Sequence, residues 1–257
     1  MIWLKLFLVP GLVAIVTLAV RRWGPSVGGW LAGLPIVAGP VLVIYALEQG
    51  NTFATAAAHA TLTGLIATVA FAVAYGHLST RLPWYVCMAL GWCVFAAVVV
   101  SLYALQPGLI VSLLLLVAAT LLGRHVLPRD AVAIQPASSI RGDLITRLVA
   151  TATLVLVLTG LAGRLGPAWS GLLNAFPVLT TIVAVFSHIQ RGAAAAVAFL
   201  NGYLQAIVGF GLFCVVMATG LESLGLGWAL GAALAVQLAW HGVLVSRAAA
   251  SASHSPS

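Results

Sequence analysis

Apolar residues run along this chain in blocks of about twenty, separated by short clusters rich in Arg, Gly, Pro, Asn and Gln. Blocks of that length predict helices that cross a bilayer, whose apolar core takes ~20 residues per helix. About nine spans are expected, over 3–20, 26–47, 52–76, 83–104, 107–123, 144–163, 168–189, 193–219 and 224–246. The breaks carry turn chemistry: Arg-Arg-Trp-Gly-Pro, Glu-Gln-Gly-Asn, Ser-Thr-Arg-Leu-Pro, Gln-Pro-Gly and Gln-Arg-Gly. One longer polar stretch, 123–143, holds Arg124, Arg129, Asp130, Pro136 and Arg141 and reads as a linker. The Ser-rich end from Ser251 reads as a disordered tail. Trp3, Trp23, Trp84, Trp169 and Trp228 fall near expected helix ends, where interfacial indoles belong.

The pattern repeats. The stretch from Arg22 to Gly50 aligns without a gap on Arg164 to Gly192, an offset of 142 positions (164 − 22). Arg22, Gly24, Pro25, Gly29, Leu31, Pro35 and Gly50 meet Arg164, Gly166, Pro167, Gly171, Leu173, Pro177 and Gly192. Gly and Pro carry most of the match, and these residues set backbone shape. The chain therefore divides into a first repeat (1–104), a connecting helix and linker (105–143), a second repeat (144–247) and the tail (248–257). The expected fold class is an all-α polytopic membrane protein, two four-helix repeats joined by an extra helix.

Basic residues orient it. With the linker in the cytoplasm, Arg21, Arg22, Arg81, Arg124, Arg129, Arg141, Arg147, Arg191 and Arg247 fall inside, and only Lys5 and Arg164 outside. The N-terminus is then external and the C-terminus cytoplasmic. Five spans precede the second copy, so the copies are inverted, provided that 107–123 crosses fully.

Composition agrees. The chain is 63% hydrophobic and 6% charged, with a mean hydropathy of +1.16, too little polar material to cover a soluble domain. The net charge of +7 comes from basic residues scattered singly at helix ends, which topology explains and nucleic acid does not. Trp3 to Val20 is read as a retained helix, because no small-residue cleavage pattern precedes Arg21. Cys87, Cys93 and Cys214 have no CxxC spacing and indicate neither zinc nor a redox pair.

Candidate chemistry gathers on the duplicated motif. A Pro within a helix removes a donor and frees a carbonyl one turn earlier, and in hydrocarbon a freed group needs protein or water to satisfy it. Gly33, Pro35 and Gly39 in the first copy, and Asn174, Pro177, Thr180 and Thr181 in the second, are expected to line a binding site with backbone and neutral side-chain groups. The alternative reading of Gly29 and Gly33 is close helix packing through a GxxxG pair. Outside the motif, His59 aligns with Asn201 and Thr63 with Gln205, each about 12 Å into its span from opposite faces. His59, Asn201 and Gln205 join the candidate set, with His59 able to carry a proton near neutral pH. Thr61, Tyr203 and His241 are weaker candidates for the same cavity. The carboxylates Glu48, Asp130, Asp143 and Glu222 all lie at span ends or in the linker.

No HExxH, Gly-x-Ser-x-Gly, paired-carboxylate or P-loop pattern supports catalysis. No cofactor or metal site is indicated. In outline the layout is similar to compact bacterial secondary carriers built from inverted repeats. The expectation is a small secondary transporter of the bacterial inner membrane, moving a neutral, zwitterionic or weakly anionic solute. Its partners are that solute and the lipid bilayer, with a homodimer admitted. The alternatives are a membrane scaffold or accessory subunit, and a flippase or enzyme for lipid-linked substrates.

The orientation is testable in a background lacking Cys87, Cys93 and Cys214. A cysteine replacing Arg164 is expected to react with an impermeant thiol reagent added outside, and one replacing Arg22 is not. Labelling of both from one face would make the copies parallel.

Overall fold

The computed structural model describes residues 2–36, 38–128, 146–153, 172 and 174–253. The linker with Asp130 and Asp143, and the motif residues Arg164, Gly166, Pro167, Gly171 and Leu173, lie outside them. Among the described residues the chain is all-helical, with no strand. The elements are α1 (Ile2–Trp23), α2 (Pro25–Ala32), α3 (Ala38–Gln49), α4 (Asn51–Leu78), α5 (Trp84–Leu105), α6 (Leu109–Val126), α7 (Val178–Arg191) and α8 (Ala193–Ser253). Residues 146–153 are also helical. Among the described residues four helices are long and apolar enough to cross a membrane: α4, α5, α6 and α8. Exposed apolar side chains along α5 and α6, such as Leu105 at 74% and Ile110 at 73%, suit a lipid-facing surface better than water.

Two of the breaks fall close to where the sequence places them. The span expected over 26–47 is two helices, α2 and α3, separated at Gly33 to Ile36. The spans expected over 193–219 and 224–246 are both helical within α8, which breaks at the non-helical Gly225 (φ 76°) and doubles back there, so that Gly209 lies against Trp240. The expected tail region is helical as far as Ser253.

Both duplicated spans are interrupted, and in the same way. Before the break the last turn tightens: Gly33 N–H donates to Trp30 C=O and Ala175 N–H to Leu172 C=O, each at 3.2 Å. After it the next turn starts from the proline carbonyl, which accepts from Gly39 N–H at 2.7 Å in one copy and from Thr181 N–H at 2.8 Å in the other. Every member of the second set lies 142 positions after its counterpart in the first. The following junctions also match. Gly50 (φ 88°) and Gly192 (φ 82°) end α3 and α7 with positive φ, a conformation that costs glycine little and a side chain much. Pro83, which precedes α5, corresponds to the kink at Gly225.

The two copies grip one another reciprocally. Gly33 lies against Ala206, where a β-carbon on the glycine would collide, and Ala175 lies against Gly64, with 2.7 Å left for one. These are one contact seen twice, since 33 + 142 = 175 and 64 + 142 = 206. In each, the end of a broken segment packs on the long helix of the other copy, glycine to alanine. Those long helices, α4 and the first part of α8, run antiparallel: Gly76 lies beside Leu200, and Gly211 beside Leu62. Gly64 is the fourteenth of the 28 residues of α4 (64 − 51 + 1), so the second break sits at that helix's mid-length. Further along, Gly29 and Gly202 meet each other's backbone neighbourhoods, Gly29 against Phe199 to Tyr203 and Gly202 against Ser26. No side chain fits there, which is what lets two backbones approach.

That contact gives a stability prediction. Gly202→Val must displace the main chain of Ser26 and is expected to cost upwards of ~1–3 kcal/mol, read as a lower thermal midpoint in detergent. Ala198→Val, one turn earlier and only half-buried, serves as the comparison and should shift the midpoint less.

Candidate functional site

A cavity of about 360 Å³ opens at the end of α4 that meets the α5–α6 connection, lined by His59, Thr63, Tyr103, Gln106, Pro107 and Leu172 among others. Its polar wall is built by one irregularity. Pro107 ends the run after α5, and its carbonyl, with no following helical donor, takes two others: His59 Nε2 at 3.0 Å and Ser112 Oγ at 3.3 Å. Ser112 Oγ also pairs with Thr63 Oγ at 3.0 Å, and Thr63 Oγ reaches His59 C=O at 3.2 Å. A carbonyl only accepts, so His59 carries its proton on Nε2, and Nδ1 is the basic nitrogen. Pro107 thereby fixes both the ring's orientation and its tautomer.

The cavity reaches down to Leu172, one turn before the second break. Asn174 stands beside it on the same short segment, its Nδ2 donating to Thr61 Oγ at 3.5 Å. The carbonyl of Ala175, freed by the break, accepts from Thr68 Oγ at 2.6 Å. The side chains of α4 thus satisfy the irregular backbone that Pro177 creates, as an apolar medium requires.

The ten candidate residues do not all meet. Of the ten, only His59 lines the cavity, while Asn174 bonds Thr61, which is not a lining residue. Thr180 and Thr181 are buried on α7 and face elsewhere: Thr180 bonds the hydroxyl of Tyr203, and Thr181 Oγ accepts from Trp92 Nε1 at 3.2 Å. Gly33, Pro35, Gly39 and Pro177 are buried in helix contacts, and neither proline lines the cavity. Asn201 and Gln205 belong to a second polar region. Gly76 lies beside Leu200, so Asn201 is level with the far part of α4, roughly 20 Å along the axis from His59.

That second region is the repeat image of the first. Asn201 replaces His59, Gln205 replaces Thr63, and Trp30 replaces Leu172. Here indoles take up the space: Trp240 Nε1 donates to Gln205 C=O at 3.0 Å, and the Trp240 ring packs where Gly209 leaves room. His241 Nε2 donates to Trp30 C=O at 3.1 Å, while its Nδ1 accepts from Gln237 Nε2 at 3.1 Å. Three atoms of this region are buried without a hydrogen bond: Trp30 Nε1, Asn201 Oδ1 and Gln237 Oε1. Buried polar atoms are rarely left so.

One buried cation went unread in the sequence. Arg147, placed by spacing at a helix end, is only 2% exposed. Its Nη1 donates to Thr17 Oγ and its Nη2 to Gln190 Oε1, both at 3.1 Å, and its guanidinium sits 4.5 Å from the Phe186 ring centre. It joins α1 and α7 at the end of the bundle away from the cavity. Ser112, Pro107 and Trp92 were also missed. They lie on the unduplicated helix or where the second copy has no like residue, so the repeat gave no signal for them. Among the described residues no group of three or more His, Cys, Asp or Glu side chains could hold a metal.

Compared with known proteins, the chain matches no family model, no curated protein and no solved structure.

The asymmetry between the regions is measurable. In the cysteine-free background, a cysteine at Ala60 is expected to react with a small water-soluble thiol reagent at least tenfold faster than one at Gly209, because Ala60 is a half-buried lining residue of the cavity and a side chain at Gly209 would meet the Trp240 ring. Equal rates would mean that both regions admit water alike.

Proposed function

We propose that this protein is a small secondary transporter of the bacterial inner membrane, moving a small neutral, zwitterionic or weakly anionic solute by alternating access. The observation that carries the reading is the reciprocal contact: two broken helices, each seated on the long helix of the other copy, with those long helices antiparallel. This is the arrangement expected of inverted repeats, in which broken helices hold the substrate between two halves that rock. The proposed architecture is nine spans with an external N-terminus and a cytoplasmic C-terminus.

In this reading the His59 cavity is the external half of the path. It admits solute from the Pro107 end as far as Asn174, where the second break offers backbone and amide groups. The region around Asn201 and Gln205 is the internal half, closed. Arg147 ties α1 to α7 at that side and keeps the halves together. Rocking would exchange the two: the cavity collapses, the indoles of Trp30 and Trp240 withdraw, and the unbonded atoms of Asn201, Trp30 and Gln237 meet water or solute. His59 Nδ1 supplies a site for a coupled proton, consistent with the location of Glu48 and Glu222 at helix ends rather than within the path.

The dry glycine contacts of Gly29 and Gly202 favour a second reading, a membrane scaffold. Flux separates the two. Purified protein in liposomes is expected to exchange a labelled solute from a panel of small amino acids, amides and carboxylates. Asn174→Ala removes one hydrogen-bonding group and should weaken apparent affinity about fivefold to tenfold. His59→Gln keeps a donor for the Pro107 carbonyl but does not titrate, so flux should lose its dependence on a pH gradient. Absence of exchange across the panel, with folded protein, would favour the scaffold.

A further inference from the structure

A second cavity lies on the outside of the bundle, on the opposite half of α4 from His59. It has a volume of about 530 Å³, and its walls are Ile66, Val69, Val73 and Ala74 of α4, Val98 of α5, and Ala119, Leu122 and Gly123 of α6, with His77 at one end. Its origin is in the packing. α5 and α6 each pack extensively on α4 but scarcely on one another. They are joined at Gln106 to Gly108 and diverge from there, leaving α4 as the floor of an open crevice. Small side chains, Ala70, Ala74, Ala119 and Gly123, keep it from filling.

We infer that this crevice holds one acyl chain of an anionic phospholipid, with the phosphate at the His77 end. Length comes first. From Ile66 to His77 is eleven residues, about 16 Å of helix, which is about half the ~30 Å apolar core and so the depth of one leaflet. A groove of that length takes a lipid chain from the leaflet it opens to and is too short to seat a spanning helix of a second copy. Polarity comes next. The walls are hydrocarbon throughout, and the one titratable lining residue stands at the end where a head group would emerge.

Charge selects the head group. Arg124 follows the lining residue Gly123, and Arg81 lies in the turn after His77; all three basic residues are exposed. The described carboxylates, Glu48 and Glu222, are at the other end of the bundle, where Asn51 Nδ2 donates to Leu221 C=O. A phosphate bearing net negative charge therefore meets two guanidinium groups and no described carboxylate. Basic side chains beside a groove between spanning helices recognise such head groups, and each contributes modestly. This inference does not rest on the transport reading.

Native mass spectrometry of the purified full-length protein tests it, using phosphatidylglycerol and phosphatidylcholine with matched chains. Phosphatidylglycerol is expected to bind preferentially, and Arg81→Gln and Arg124→Gln each to weaken it about fivefold without changing phosphatidylcholine. Ala119→Phe fills the crevice and should remove the preference. As a check that needs no substitution, affinity for phosphatidylglycerol should rise with chain length and level off near the depth of the groove. Equal binding of the two lipids, indifference to both arginines, or no dependence on chain length would each overturn the assignment. A dimer that forms without lipid and is broken by Ala119→Phe would also overturn it, by making a second copy the occupant.

Discussion

The arrangement depends on satisfying backbone groups in a medium that offers no hydrogen bonds. Pro35 and Pro177 interrupt their helices, the second beside the mid-length of α4, and each interruption exposes carbonyls that lipid cannot serve. The chain answers with protein. Thr68 of α4 takes up the carbonyl of Ala175 at 2.6 Å, and the proline carbonyls each start a new turn. For this to work the broken segment must lie directly on the opposite long helix, and that closeness is what Gly33, Gly64 and Gly202 permit. The glycine contacts and the proline breaks are thus one device: the prolines create the demand and the glycines bring the groups that meet it within reach.

The same logic accounts for the cavity. Pro107 leaves a carbonyl without a helical donor, and His59 and Ser112 converge on it. A histidine in a spanning helix is costly unless bonded, and here the bond also sets which nitrogen is basic. Its repeat partner, Asn201, keeps a buried Oδ1 that no donor reaches. The offset of 142 pairs these two positions. Divergence at Leu172 and Trp30, and the presence of α6 on one side only, made one of them open and the other filled. Arg147 adds a matching difference in cohesion, since its bonds to Thr17 and Gln190 strengthen the end that is packed.

Much of this was legible in the sequence, and residues show where legibility ended. The offset of 142 located both breaks, because Pro and Gly act through local backbone geometry and so leave their mark in any context. It also paired His59 with Asn201, each expected about 12 Å into its span. It did not show that these two stand roughly 20 Å apart along the axis, since equal depth from opposite ends says nothing of how far two antiparallel helices overlap. Thr180 and Thr181 read as binding groups because they are polar and follow Pro177. Their partners, Tyr203 and Trp92, are distant in sequence, and polarity alone does not distinguish a satisfied hydroxyl from an available one. Arg147 read as a helix-end anchor for the same reason: burial is a property of neighbours.

The sequence by itself determined that this is an all-helical chain made for an apolar medium, that the Gly and Pro pattern of 22–50 recurs 142 positions on, and where those helices break, because length, hydropathy and the stereochemistry of Gly and Pro are carried by each segment alone. The tertiary structure decided which broken segment lies on which long helix, which carbonyl each hydroxyl satisfies, and where α5 and α6 part to leave a crevice. Those outcomes depend on contacts between residues as far apart as Gly33 and Ala206, and such contacts exist only once the helices have packed.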